Sequence, residues 1–133
     1  MSIKMTRILI ADDQPEVRSA LHFLLDQQPH IKVVGEIDNN DKLMNWFSAN
    51  QADMVLLDWD LPGSPSEDII TELRSTFPKV AAVVLDSKPQ TEKMAINAGA
   101  AGFVSKNETP ERLLKIIENC TADKERTKDG NRN

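Results

Sequence analysis

Met54-Val55-Leu56-Leu57-Asp58-Trp59-Asp60-Leu61-Pro62-Gly63 is the stretch that decides the fold. Apolar residues in unbroken succession mark a strand covered on both faces, the condition of a parallel sheet between helices. The run ends on a carboxylate, and Pro62-Gly63 then turns the chain. Working outward, the same form recurs. Ile8-Leu9-Ile10-Ala11 runs into Asp12-Asp13, and Val80-Ala81-Ala82-Val83-Val84-Leu85 into Asp86-Ser87. Ala101-Gly102-Phe103-Val104 is followed closely by Lys106. Ile31 to Ile37 is more polar and partly alternating, as an edge strand is.

Segments with helical spacing lie between these runs. Val17, Leu21, Leu24 and Leu25 form one stripe, Leu43 and Phe47 a second, Ile69, Ile70, Leu73 and Phe77 a third, and Leu113, Ile116, Ile117 and Cys120 a last. Ser64-Pro65-Ser66-Glu67 has the form of a capping box, and Thr109-Pro110 opens the last helix in a similar way. A short fourth helix, around Glu92 to Ala98, stops at Gly99. Successive β-α units predict a right-handed α/β doubly wound (βα)5 three-layer sandwich with parallel strand order 2-1-3-4-5, which puts the polar second strand at an edge. Residues 1–121 form the expected domain, and 122–133 a polar, disordered tail. That tail is too short and too polar for a helix-turn-helix.

The chain has 133 residues, with 16 basic and 21 acidic side chains and a formal net charge of -5. At 14.9 kDa this is the size of one domain with its own core. A lone cysteine, Cys120, excludes an internal disulfide, and no apolar run is long enough for a signal peptide or a membrane span. A cytoplasmic location is the expectation. The acidic balance argues against a nucleic-acid surface, which needs clustered Lys and Arg.

Ligands of an open parallel sheet collect outside the carboxyl ends of its strands. Four strand ends here converge on Asp12-Asp13, Asp58, Asp86-Ser87 and Lys106. Each has an ordinary explanation alone: an N-cap, a turn, a solvated loop lysine. Together they form a carboxylate cluster that calls for a cation, and oxygen-only ligands favour Mg²⁺. Such a site suits phosphoryl transfer to an aspartate, with Lys106 pairing the transferred oxygens.

Three stretches resemble the receiver (CheY-like) domains of two-component response regulators: Ile8 to Asp13, Val55 to Gly63, and Ala98-Gly99-Ala100-Ala101-Gly102-Phe103-Val104-Ser105-Lys106. The likeness covers about residues 6 to 120. Lys106 to Leu114 is most similar to receivers that precede a LuxR/NarL-type helix-turn-helix. The resemblance implies a flavodoxin-like fold and a phosphoacceptor at Asp58. It implies an acidic Mg²⁺ pair at Asp12 and Asp13, with the Asp60 backbone carbonyl as a further ligand. Lys106 becomes the phosphoryl-contacting lysine and Phe103 the aromatic switch position. A histidine kinase or histidine phosphotransfer protein is the implied donor. Output would run through the face of helix 4, strand 5 and helix 5, to a second copy or a separate effector, with no catalysis beyond the domain's own phosphorylation and dephosphorylation.

Two positions depart from the family. Asp86 stands where receivers carry a switch Ser or Thr, with Ser87 one residue later. The favoured reading places Asp86 at the switch position and Ser87 as a helix cap in Ser87-Lys88-Pro89-Gln90; a one-residue slip would substitute Ser87. Ser66 stands where the family commonly has Gly. His22 and His30 are expected away from the crevice. The leading expectation is a stand-alone phosphorylated receiver. The alternatives are a pseudo-receiver impaired by Asp86, and a haloacid-dehalogenase-like phosphohydrolase mimicked by Asp58-Trp59-Asp60. An FMN module lacks the needed Ser/Thr-rich phosphate loop.

Overall fold

Period-two alternation along buried strands sorts side chains onto two faces, and helices cover both. The computed structural model describes residues 4–130, with side chains through Thr121. In chain order it has β1 (Thr6–Ala11), α1 (Pro15–Asp26), β2 (Ile31–Ile37), α2 (Leu43–Ala49), β3 (Met54–Asp58), α3 (Ser66–Thr76), β4 (Ala81–Asp86), α4 (Thr91–Ala98), β5 (Gly102–Ser105) and α5 (Pro110–Gly130). One turn of 3₁₀ helix over Asn40–Lys42 leads into α2. The sheet is parallel in the order β2-β1-β3-β4-β5, as predicted.

Leu9, Val55, Leu57, Val84 and Phe103 face Leu43 and Phe47 of α2, Ile69, Ile70 and Leu73 of α3, and Ala95 of α4. Ile8, Ile10, Met54, Leu56, Val83 and Val104 face Leu25 of α1 and Leu113 and Ile117 of α5. Register sets the functional edge: Asp58 at the end of β3 pairs with Leu85, and Asp86 at the end of β4 pairs with Ser105. Among the described residues no helix is long and apolar enough to cross a membrane.

Three local expectations are corrected. Pro65, not Ser64, is the N-cap of α3, and no side chain caps it. The Ser64 hydroxyl instead donates to Asp41 Oδ1 at 2.7 Å, a charge-assisted bond to the 3₁₀ turn before α2. Ser87 does not cap α4, which starts four residues later at Thr91 after backbone turns from Thr91 N–H to the Lys88 carbonyl and from Glu92 N–H to the Pro89 carbonyl. The predicted break after residue 121 is also not the end of α5, which continues to Gly130. No Pro or Gly occurs between Glu111 and Asp129, and Ala, Lys, Glu and Arg favour helix. Residues 131–133 of the expected tail lie outside the described residues.

Candidate functional site: a carboxylate crevice at the strand ends

Carboxylates buried at the ends of the central strands lose water and depend on protein donors. Asp12, 2% exposed, follows β1 directly. Its Oδ1 accepts from the Gln14 N–H at 2.9 Å, and its carbonyl from Arg18 Nη1 at 2.7 Å. Asp58, 5% exposed, ends β3, and its Oδ1 accepts from the Asp60 N–H at 3.1 Å. Beyond β5 the Lys106 N–H donates to the Asp86 carbonyl at 2.9 Å, which aims the side chain back across the sheet. Lys106 Nζ then lies 3.3 Å from Asp12 Oδ2 and 3.3 Å from Asp58 Oδ1. Asp13 sits exposed at the rim, and oxygens of Asp12, Asp13 and Asp58 lie within 4.8 Å of one another.

Burial pushes the Asp58 carboxyl above its ordinary range, helped by the Asp12 charge and opposed by the Asp60 N–H and Lys106. Burial pulls the Lys106 ammonium down, but the Asp58 and Asp12 charges outweigh it, so the net shift is upward. Lys106 is therefore charged throughout the physiological range and offsets part of the carboxylate repulsion. The donor set of clustered carboxylate oxygens fits a hard divalent cation.

Asp13, Asp58, Asp60, Asp86, Ser87 and Lys106 all line the crevice, so the structure brings together the predicted strand ends. Asp86 is the buried strand-end residue, 1% exposed, while Ser87 is exposed on the wall. The Asp86 carboxylate is tied: Oδ2 accepts from Thr91 Oγ1 at 2.5 Å. Thr91, at the first position of α4 and buried, is a residue the sequence reading missed. Its only signal was a β-branched hydroxyl opening a helix directly after a polar turn. Phe103 is not in the crevice wall; it is buried on the sheet face that α3 and α4 cover. His22 pairs with Glu36 and Asp26 on the outside of α1, and neither His22 nor His30 lines the crevice.

Residues 8–118 match the response regulator receiver domain family. The chain belongs to that family. It is 31% identical over 117 residues to the nitrate/nitrite response regulator protein NarL of Escherichia coli K12, covering 86% of this chain and 54% of that protein. It is 30% identical over 115 residues to response regulator UvrY of the same strain, covering 85% of this chain and 53% of that protein. The receiver domain structure of the response regulator NarL from Mycobacterium tuberculosis superposes with a TM-score of 0.80 at 26% identity, covering 88% of this chain and 96% of that one. The receiver thus spans about half the length of the curated relatives it matches. It is a two-component signalling receiver of the NarL/UvrY kind.

Proposed function

We propose that this receiver accepts a phosphoryl group on Asp58 and that residues 1–121 are the unit that does so. The observation that carries the reading is Lys106 Nζ at 3.3 Å from both Asp12 and Asp58, one ammonium shared between a metal-binding carboxylate and a nucleophilic one. Asp58 Oδ1 is occupied by the Asp60 N–H and Lys106, which leaves Oδ2 to attack phosphorus. The new O–P bond forms as the P–N bond of a phosphohistidine donor breaks, and the released imidazole takes a proton from water. Lys106 moves from the carboxylate to the phosphoryl oxygens as charge shifts to them.

Asp12, Asp13 and Asp58, with the Asp60 backbone carbonyl, would hold Mg²⁺. When bound, Mg²⁺ supplies charge neutralisation between the carboxylates and the phosphoryl oxygens. A histidine kinase or histidine phosphotransfer protein is the proposed donor. The proposed output face is α4, β5 and α5, where Met94 and Ile96 are exposed on α4, and it engages a second copy or an effector.

Intact-mass spectrometry after incubation with Mg²⁺ and acetyl phosphate tests the reading. A single phosphate adduct on the parent, absent in Asp58→Asn, is expected. A folded parent with no adduct, or an adduct that persists in Asp58→Asn, overturns it.

A further inference from the structure

The peptide unit joining Trp59 to Asp60 is held at both ends. Its N–H, on Asp60, donates to Asp58 Oδ1 at 3.1 Å, and its carbonyl, on Trp59, accepts from Ser66 Oγ at 2.7 Å. Ser66 Oγ in turn accepts from Asn40 Nδ2 at 3.0 Å. Asn40, in the 3₁₀ turn before α2, and Ser66, opening α3, are both buried. Neither touches the crevice.

We propose that Asn40 and Ser66 are positioning residues for Asp58. The relay runs from the Asn40 amide to the Ser66 hydroxyl to the Trp59 carbonyl, and through that peptide unit from the Asp60 N–H to Asp58 Oδ1. Each link donates in the same direction, so each polarises the next. The relay fixes the plane of the peptide, commits Oδ1 to it, and thereby presents Oδ2 to an incoming phosphorus. Its consequence for phosphorylation rests on the phosphoacceptor reading above, whereas the orientation of the carboxylate does not.

The amide orientation of Asn40 is set by its surroundings. Nδ2 also faces the Ser64 carbonyl at 2.9 Å and, weakly, the Leu61 carbonyl at 3.4 Å. Turning the amide over would place its oxygen against those carbonyls. Neighbouring groups hold the same loop: the Asn40 N–H donates to the Pro62 carbonyl at 2.8 Å, and Asp41 Oδ1 accepts from the Ser64 N–H at 3.0 Å. Gly63, at φ +100°, passes against Asn39 where any Cβ would collide. A loop fastened only for stability would need these last contacts but not the link through Ser66 to the Trp59 carbonyl.

The test uses ¹⁵N-labelled parent, Ser66→Ala, Asn40→Ala, the double variant and Ser66→Thr, each read by the Asp60 amide proton and by the phosphorylation rate with Mg²⁺ and acetyl phosphate. In Ser66→Ala the Asp60 amide is expected to move upfield and exchange faster. Its maximal phosphorylation rate falls roughly tenfold, as misorientation of a reacting group does, with half-saturation by phosphodonor unchanged. Asn40→Ala does the same to a smaller degree, the double variant is no worse than Ser66→Ala, and Ser66→Thr restores both readouts. An unmoved Asp60 amide in Ser66→Ala, or independent addition of the two effects, overturns the proposal. If the parent takes no phosphate, the phosphoacceptor reading falls and the Asp60 amide alone decides the orientation. If Ser66→Ala does not fold, Ser66→Gly carries the same readouts.

Discussion

Asp86 brings a further carboxylate to the crevice that the proposed phosphoryl dianion would enter, and Thr91 Oγ1 holds it there. Replacing Asp86 by Thr removes that charge, so the phosphorylation rate with acetyl phosphate is expected to rise about threefold to tenfold, the scale of one charge repulsion in a partly screened site. Equal rates in stopped-flow measurements of parent and variant would dispose of the repulsion argument. Thr91→Val removes a hydroxyl donor from a buried carboxylate, and urea unfolding is expected to show a loss of about 1–3 kcal/mol, largely recovered in the background of Asp86→Asn. Asp58 carries its own stability signature. Because burial raises its folded pKa above the unfolded one, its contribution is fully present below the ordinary carboxylate pKa of about 3.9 and is lost as pH rises through the folded value. Asp58→Asn is therefore expected to melt at a higher temperature than the parent at pH 7, with the gap closing toward pH 4. A gap that widens on acidification contradicts this sign.

At the scale of single elements, strands and helix stripes were legible because periodicity is a local property. The continuous run Val55-Leu56-Leu57 is buried on both sides, and the polar run from Ile31 lies at the edge, each as its composition demands. Gly99 was likewise readable: it ends α4 at φ +119°, with its N–H on the Ala95 and Ile96 carbonyls. An added Cβ there would meet only the Arg74 side chain at 3.5 Å, so the penalty is backbone strain rather than collision. Gly99→Ala is expected to cost about 1 kcal/mol in urea unfolding, and Gly99→Asn less. Ser64 and Ser87 were misread for one reason. A capping pattern shows which side chain could accept from a helix N–H but not where the helix starts: α3 starts one residue later and α4 three residues later than the serines imply, and the Ser64 hydroxyl binds the Asp41 carboxylate of the 3₁₀ turn. The extension of α5 was missed because polarity was weighed above the absence of any breaker before Gly130.

For the molecule as a whole, the proposed Mg²⁺ site at the clustered carboxylates of Asp12, Asp13 and Asp58 would link cation binding to folding. At Mg²⁺ ten times above its Kd, linkage stabilises the native state by about 1.4 kcal/mol. Melting of the parent is expected to shift upward with Mg²⁺, and the shift to vanish in Asp12→Asn/Asp13→Asn; an equal shift in both proteins would place the ion elsewhere. The sequence alone determined the order of β-α units, the parallel sheet and the set of strand ends that meet at one edge. Those follow from hydrophobic periodicity, turn chemistry and the handedness of crossovers, which act over a few residues or apply to every such fold. Only the tertiary structure decided which partners the polar groups take. The Asp86 carboxylate was readable as a charge near the site but not as one bound to Thr91, and Asn40 and Ser66 lie 26 residues apart with nothing local to join them. Most buried donors and acceptors are satisfied by whatever the fold brings within about 3 Å, so a partner is a property of the packed chain and not of its neighbours in sequence.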